Sequence, residues 1–269
     1  MTQATFKPHR TVQETQHPYG LITGEAAVRV LEDFNRFIGK SELVRAGYVL
    51  KDVLKIVKTE EHPDGVLAGS TPDALMVLLH YVPTRDCGFT IATPQQMAQI
   101  YNSDSEFIRN KFWADVLLIR NPHADLSKPE TRVPWMMELS EQVDALIGKG
   151  EVVAIPYFAV VPATRSNGHL GNSSGYVLAD NARDLVQILK WGKEDVQGFS
   201  FDRLSEENGV PKREDHGKRR FYGLSGKLFS GLCLDWGLGL YSDGGGLAGS
   251  GSSGRVVGWS VGEADARKN

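Results

Sequence analysis

Apolar residues at Val28, Leu31, Phe34 and Ile38 recur at three- and four-residue steps, which predicts a helix opening near Thr23-Gly24-Glu25. Gly39 and Ser41 interrupt it, and the stripe resumes from Leu43 to Val57 through Leu50, Leu54 and Val57. Residues 60–65 (EEHPDG) have turn composition. Thr71 then reads as an N-cap and Pro72 as a first helical residue, opening an apolar helix from Ala74 to Tyr81 that Pro83 ends. A short strand is expected from Cys87 to Ala92, and Thr93-Pro94 repeats the start signal for a helix through about Asn102. A further helix, from Asp104 or Ser105 to Arg120, places Phe107, Phe112, Val116 and Ile119 inward.

The polar, proline-punctuated residues 121–134 mark the best boundary. Beyond them the pattern predicts a helix from Trp135 to Ile147, then a β-segment from Glu151 to Val161 that Pro156 turns into an edge or a bulge. Residues 165–175 form a polar loop, and Ala179 to Trp191 reads as an amphipathic helix. Phe201 to Pro211 has the cadence of the first helix and turn of a helix-turn-helix, although Pro211 and the charged run after it spoil a recognition helix. Leu228–Leu234 and Arg255–Val261 read as strands flanking a glycine-rich loop, 236–254. The fold class expected is therefore mixed α/β (α+β). An extended N-terminal arm (1–20) leads into a mainly helical part (21–130), followed by a part with a small mixed or antiparallel sheet and helices (131–269), and the last two can share one core.

Composition narrows this little. Hydrophobic residues make up 41% and charged residues 23%, enough apolar content for a substantial core. The net charge of −3 means that attraction to a polyanion or a membrane must come from a local patch. No apolar run is long enough to span a membrane and the N-terminus lacks a leader's apolar region, so a cytoplasmic location is expected. Two cysteines, Cys87 and Cys233, do not make a disulfide framework, and neither has a CxxC neighbour for a cysteine-rich zinc site.

The familiar catalytic and cofactor motifs fail one by one. Gly39-Lys40-Ser41 resembles the end of a phosphate loop, but Phe34 stands where its first glycine belongs, and Phe221 does the same for Gly226-Lys227. The glycines of 236–254 have no helix after them to receive a dinucleotide. The histidines are scattered at 9, 17, 62, 80, 123, 169 and 216, without metal-binding spacing, and His80 in an apolar helix reads as a core histidine. Cys87 has Asp86 beside it, which raises rather than lowers a thiol pKa, so it reads as structural. No metal or other cofactor is expected.

The concentrated signal is residues 212–227 (KREDHGKRRFYGLSGK), with six Lys or Arg against two acids and Phe221 and Tyr222 adjoining. Cations beside aromatic rings suit nucleic acid, since phosphate neutralisation and base stacking both add affinity. The candidate contacts are Lys212, Arg213, Lys218, Arg219, Arg220 and Lys227 to phosphates, Phe221 or Tyr222 to bases, and Arg255 beside the glycine loop. The bland alternative is a solvated loop whose cations pair with Glu206, Glu207, Glu214 and Asp215.

The order of basic residue, strand, glycine-rich loop and strand, with Gly237, Gly239, Gly244, Gly246 and Arg255, is loosely similar to the C-terminal part of the CRISPR RAMP-type RNA-binding proteins. The likeness covers a small part of the chain, and the N-terminus departs from that family, which opens with a strand. It implies a glycine loop that lets backbone approach RNA. The expectation is a non-catalytic, RNA- or DNA-binding subunit with protein partners and no membrane. Two rivals stand beside it. One is an enzyme on a small substrate, with His123, His169 or Asp243 at a cleft between the parts; the other is a structural assembly protein tethered by arm and loop.

Overall fold

The computed structural model describes residues 17–40, 53–69, 72–108, 114–128, 134–163, 176–223, 226–234, 239–243 and 255–261. In chain order the elements begin with β1 (Tyr19–Leu21), α1 (Gly24–Lys40), β2 (Lys55–Val57), β3 (Val66–Ala68), α2 (Pro72–Tyr81), β4 (Phe89–Ile91), α3 (Pro94–Ser103) and α4 (Ser105–Ile108). They continue with β5 (Ala114–Arg120), α5 (Pro134–Ile147), β6 (Val152–Pro156), β7 (Val160–Pro162), β8 (Tyr176–Leu178), α6 (Ala182–Leu185) and β9 (Gln187–Leu189). The last are β10 (Gly198–Leu204), β11 (Pro211–Arg213), β12 (Arg219–Tyr222), β13 (Phe229–Leu234), β14 (Leu240–Asp243) and β15 (Val257–Ser260).

One eight-stranded sheet, in the order β11-β10-β12-β14-β13-β5-β6-β9, organises the chain. Its pairs are antiparallel except β12 with β14, which run parallel. Successive residues of β5 point to opposite faces, as the strand pleat requires. Leu118 joins a hydrophobic cluster with α1, α2 and α5, whereas Leu117 and Ile119 join a second cluster with α3 and α4. Val153 and Ile155 of β6 take the first face, and Val152 and Ala154 the second. Both faces of the sheet's middle are therefore covered.

Arg120 ends β5 on the α5 side. Its Nη2 donates to Asp144 Oδ1 at 2.6 Å and its Nε to Ser140 Oγ at 3.0 Å, tying strand to helix from a buried position. A three-stranded sheet, β1-β15-β4, brings the first and last described strands together, with Tyr19 opposite Trp259 and Gly258 opposite Ile91. Two hairpin pairs, β2-β3 and β7-β8, complete the architecture.

The expected fold class is thereby corrected. Residues 21–130 are not mainly helical, because β1 to β5 fall within or start just before them, and the sheet is large rather than small. The helix expected up to Arg120 is replaced at its end by β5, whose apolar run carries no alternation because both its faces are buried. The helix expected over 179–191 is the single turn α6 followed by β9. The helix-turn cadence at Phe201 is strand β10, and Lys55–Val57 is strand β2. The helices expected over Ala74–Tyr81 and Trp135–Ile147 lie within α2 and α5, and the one expected from Thr93 to about Asn102 is α3, with Thr93 as its N-cap. In α1 the inward residues are Ala26, Ala27, Val30, Phe34 and Ile38, so Val28 faces out. Residues 1–16, the Thr71 cap, the loop 165–175 and most of 236–254 lie outside the described residues.

Candidate nucleic-acid interface

The basic run lies at the far end of the large sheet, on β11, β12 and the turn between them. β10 organises this end. Its alternation buries Phe199 and Phe201 and leaves Ser200 and Asp202 on the other face, and an irregularity after Phe201 brings Leu204 back to the buried side. Across it, β12 pairs antiparallel with Ser200 opposite Arg220 and Phe201 opposite Arg219. Directly opposed residues share a face, so Arg219 and Phe221 lie on the α3 side with Phe201, whereas Arg220 and Tyr222 lie on the outer side with Ser200.

Local contacts fix this register. Asn102 at the end of α3 grips the end of β10, its Nδ2 donating to the Leu204 carbonyl at 2.9 Å and its Oδ1 accepting from Leu204 N at 3.0 Å. The α3 start is closed by a capping box, in which Thr93 Oγ1 accepts from Gln96 N and Gln96 Oε1 accepts from Thr93 N. In the β11–β12 turn, Lys218 N donates to Asp202 Oδ1 at 2.7 Å. A Cβ on Gly217 would stand 2.4 Å from Phe201 N, so only glycine lets the turn close there.

The structure splits the expected contact residues. Arg219 is turned inward, its guanidinium 4.6 Å from the centre of the Tyr101 ring and its Nη1 donating to the Asp202 carbonyl at 2.7 Å. Arg213 is held by Asp195, Nη1 to Oδ1 at 2.5 Å, and Asp195 Oδ2 also accepts from Gly192 N. Phe221 is 0% exposed, wedged against Phe199 and Trp191, and has no ring face to offer a base. Lys227 is half-buried just before β13, and Arg255 bridges to Ala68 of β3 and lines a cleft elsewhere. The remaining group is Lys212, Lys218 and Arg220, all exposed, with Tyr222 43% exposed beside Arg220. Among the described residues no ion-pair partner meets the side chains of these three cations.

Of the three side chains named for an enzyme, His123 alone lies among the described residues. His123 is exposed and its backbone N–H donates to Asn121 Oδ1 in a tight turn. His169 and the Asp243 side chain lie outside the described residues. His80 contacts the Val160 carbonyl through Nε2 at 3.1 Å, and burial pulls its pKa below the ordinary histidine value. Burial likewise pushes the Cys87 thiol up, away from reactivity. Among the described residues no three His, Cys, Asp or Glu side chains assemble where they could hold a metal ion, and no helix is long and apolar enough to cross a membrane.

Sequence reasoning missed the Tyr101–Arg219 and Asp195–Arg213 partnerships, which join positions far apart in the chain. Once β12 is a strand its pleat separates residues 219 and 221 from 220 and 222, but which pair turns inward is set by the pairing with β10. Compared with protein-family models, with curated proteins and with solved structures, the chain matches none.

Proposed function

We propose that the chain is a nucleic-acid-binding subunit whose contact surface is the outer face of β12 with the adjoining β11 turn. The observation that carries this reading is the pleat of β12, which sends Arg220 and Tyr222 together to the exposed face while Arg219 and Phe221 turn inward. Lys212 and Lys218 flank that face and add charge without an intramolecular ion pair among the described residues. A strand face with a cation and a tyrosine side by side suits an unpaired strand, because an aromatic ring can stack on a base only when the base has no stacked neighbour of its own. Lys212, Lys218 and Arg220 would meet phosphates and Tyr222 would stack; Arg219 and Phe221 would support from within, with Arg213 tied to Asp195. Protein partners fit the same reading, since β9 ends the sheet among the described residues and its Ile188 is half exposed.

The test is fluorescence anisotropy with labelled single-stranded RNA, single-stranded DNA and duplex DNA across a salt series. Wild type is expected to prefer the single strands and to weaken steeply with salt. Replacing Lys212, Lys218 and Arg220 with glutamate is expected to remove binding, while single Ala changes each lower the salt slope by about one. Tyr222→Ala is expected to weaken binding roughly tenfold, in line with the loss of one stacked base. No binding at low salt, or binding that survives the triple reversal, overturns the reading.

A further inference from the structure

The two ends of the eight-stranded sheet, β11 and β9, stand furthest apart in its order but meet in space. Gln187 at the start of β9 donates through Nε2 to the Glu207 carbonyl in the β10–β11 turn at 3.2 Å, and Gln95 of α3 donates to the same oxygen. Just past β9, the Trp191 ring packs 5.2 Å from Phe199 of β10 and 5.3 Å from Phe221 of β12. Asp195 then joins the Gly192 backbone N–H to the Arg213 guanidinium at the end of β11. The sheet therefore curls around the α3 cluster, and these side chains hold its ends together.

The meeting point carries cations. Leu189 and Trp191 pack on the cluster inside the curl, so Ile188 and Lys190 face out, as a strand's alternation requires. Lys190 and Lys193 are exposed, and among the described residues neither meets an ion-pair partner. Two exposed acids stand near them, Glu194 in the chain and Glu151 just before Val152, which pairs with Leu189. Exposed Lys149 beside Glu151 keeps the balance positive. The outer surface that carries Arg220 on β12 and Lys212 on β11 thus continues around the meeting point to Lys190 and Lys193.

We propose that Lys190 and Lys193 are further phosphate contacts, and that the bound single strand runs across the sheet, from β12 over β10 and β11 to the end of β9. This path rests on the nucleic-acid reading of β12 and gives the ligand a direction across it. Neighbouring strands lie about 4.8 Å apart, so a path over four of them covers about 15 Å. Lysines suit such a role because an ammonium on a flexible stem meets phosphate as a point charge, without demanding one geometry. A strand lying along β12 alone would leave the cations beyond β9 unused.

Amine-reactive footprinting of the full chain, read by mass spectrometry with and without a single-stranded RNA or DNA of about twelve nucleotides, tests the path. Lys190 and Lys193 are expected to lose reactivity together with Lys212 and Lys218, while Lys55 and Lys58, exposed on and just after β2, keep theirs. Replacing Lys190 and Lys193 together with alanine is expected to leave the thermal midpoint unchanged. The same change is expected to lower the salt slope of binding by about 1.4, since each phosphate contact on a single strand contributes about 0.7. Protection of Lys212 and Lys218 without Lys190 and Lys193, or an unchanged salt slope in the double variant, overturns this path and leaves the β12 reading standing. Protection that extends to Lys55 and Lys58 also overturns the path, because charge then acts as a diffuse field. No binding by the wild type, or protection of Lys190 and Lys193 alone, overturns both.

Discussion

The middle and the end of the eight-stranded sheet are built from the same kind of ladder yet live in different surroundings. In β5 and β6, residues 117–119 and 152–155 are all buried, because helices cover one face and α3 with α4 the other. At the β10–β12 end, Phe199, Phe201 and Phe221 are buried on one face only, and Arg220 and Tyr222 stand exposed on the other. Strand chemistry follows cover. Where both faces are covered the sequence runs apolar without alternation; where one is open, buried and open positions alternate over Phe199–Asp202 and Arg219–Tyr222. A charge in the middle, such as Arg120, must bring its own partners, whereas a charge at the end can face water.

The sharpest way to break this comparison is to truncate neighbours in β12. Phe221→Ala removes a fully buried ring that touches Phe199 and Trp191 and is expected to cost about 3–5 kcal/mol. Tyr222→Ala, one residue on, is expected to cost under about 1 kcal/mol, because much of that ring is already solvated. Urea denaturation followed by tryptophan fluorescence measures both. Equal costs would mean that the outer face is as covered as the inner one.

Next in size is the buried charge in the middle. Arg120→Ala leaves Asp144 and Ser140 without the guanidinium that joins them and is expected to cost about 3 kcal/mol. Arg120→Met keeps the volume and removes the need for pairing at Arg120, so a smaller loss is expected in the same denaturation experiment. A larger loss from methionine than from alanine would show that the cost lies in crowding, not in charge.

These contrasts also explain what could be read from the chain. The amphipathic helices were legible because one face of each meets a core and the other does not: α1, α3 and α5 all appear near their expected positions. β5 was not, because a strand buried on both faces has the same apolar run as a buried helix. The Phe199-Ser200-Phe201-Asp202 alternation of β10 was a legible strand signal that the helix-turn cadence obscured. For the candidate site, the sequence located the basic run but not its sides. Which cation turns inward depends on β10 pairing with β12 and on Tyr101 arriving from α3, and no local pattern encodes a partner so distant in sequence.

A finer test compares the two adjacent arginines. Arg219→Ala removes the stack on Tyr101 and the bond to the Asp202 carbonyl, and a loss of about 1–2 kcal/mol is expected. Because its guanidinium faces inward, nucleic-acid affinity in the folded fraction is expected to change little.

Arg220→Ala is the mirror image and carries the smallest stability effect, within about 0.5 kcal/mol, because its exposed side chain leaves no ion-pair partner behind among the described residues. Its consequence should appear instead in the salt dependence of binding. Measuring the two variants side by side, by urea denaturation and by anisotropy, separates what the pleat assigns to stability from what it assigns to contact. If Arg219→Ala changes binding and Arg220→Ala changes stability, the two faces of β12 have been assigned the wrong way round. If both variants change both properties, charge at this end acts as a diffuse field and the pleat does not sort it. The separation is expected because a strand offers adjacent residues no shared side, and one residue of register is all that distinguishes these two cations.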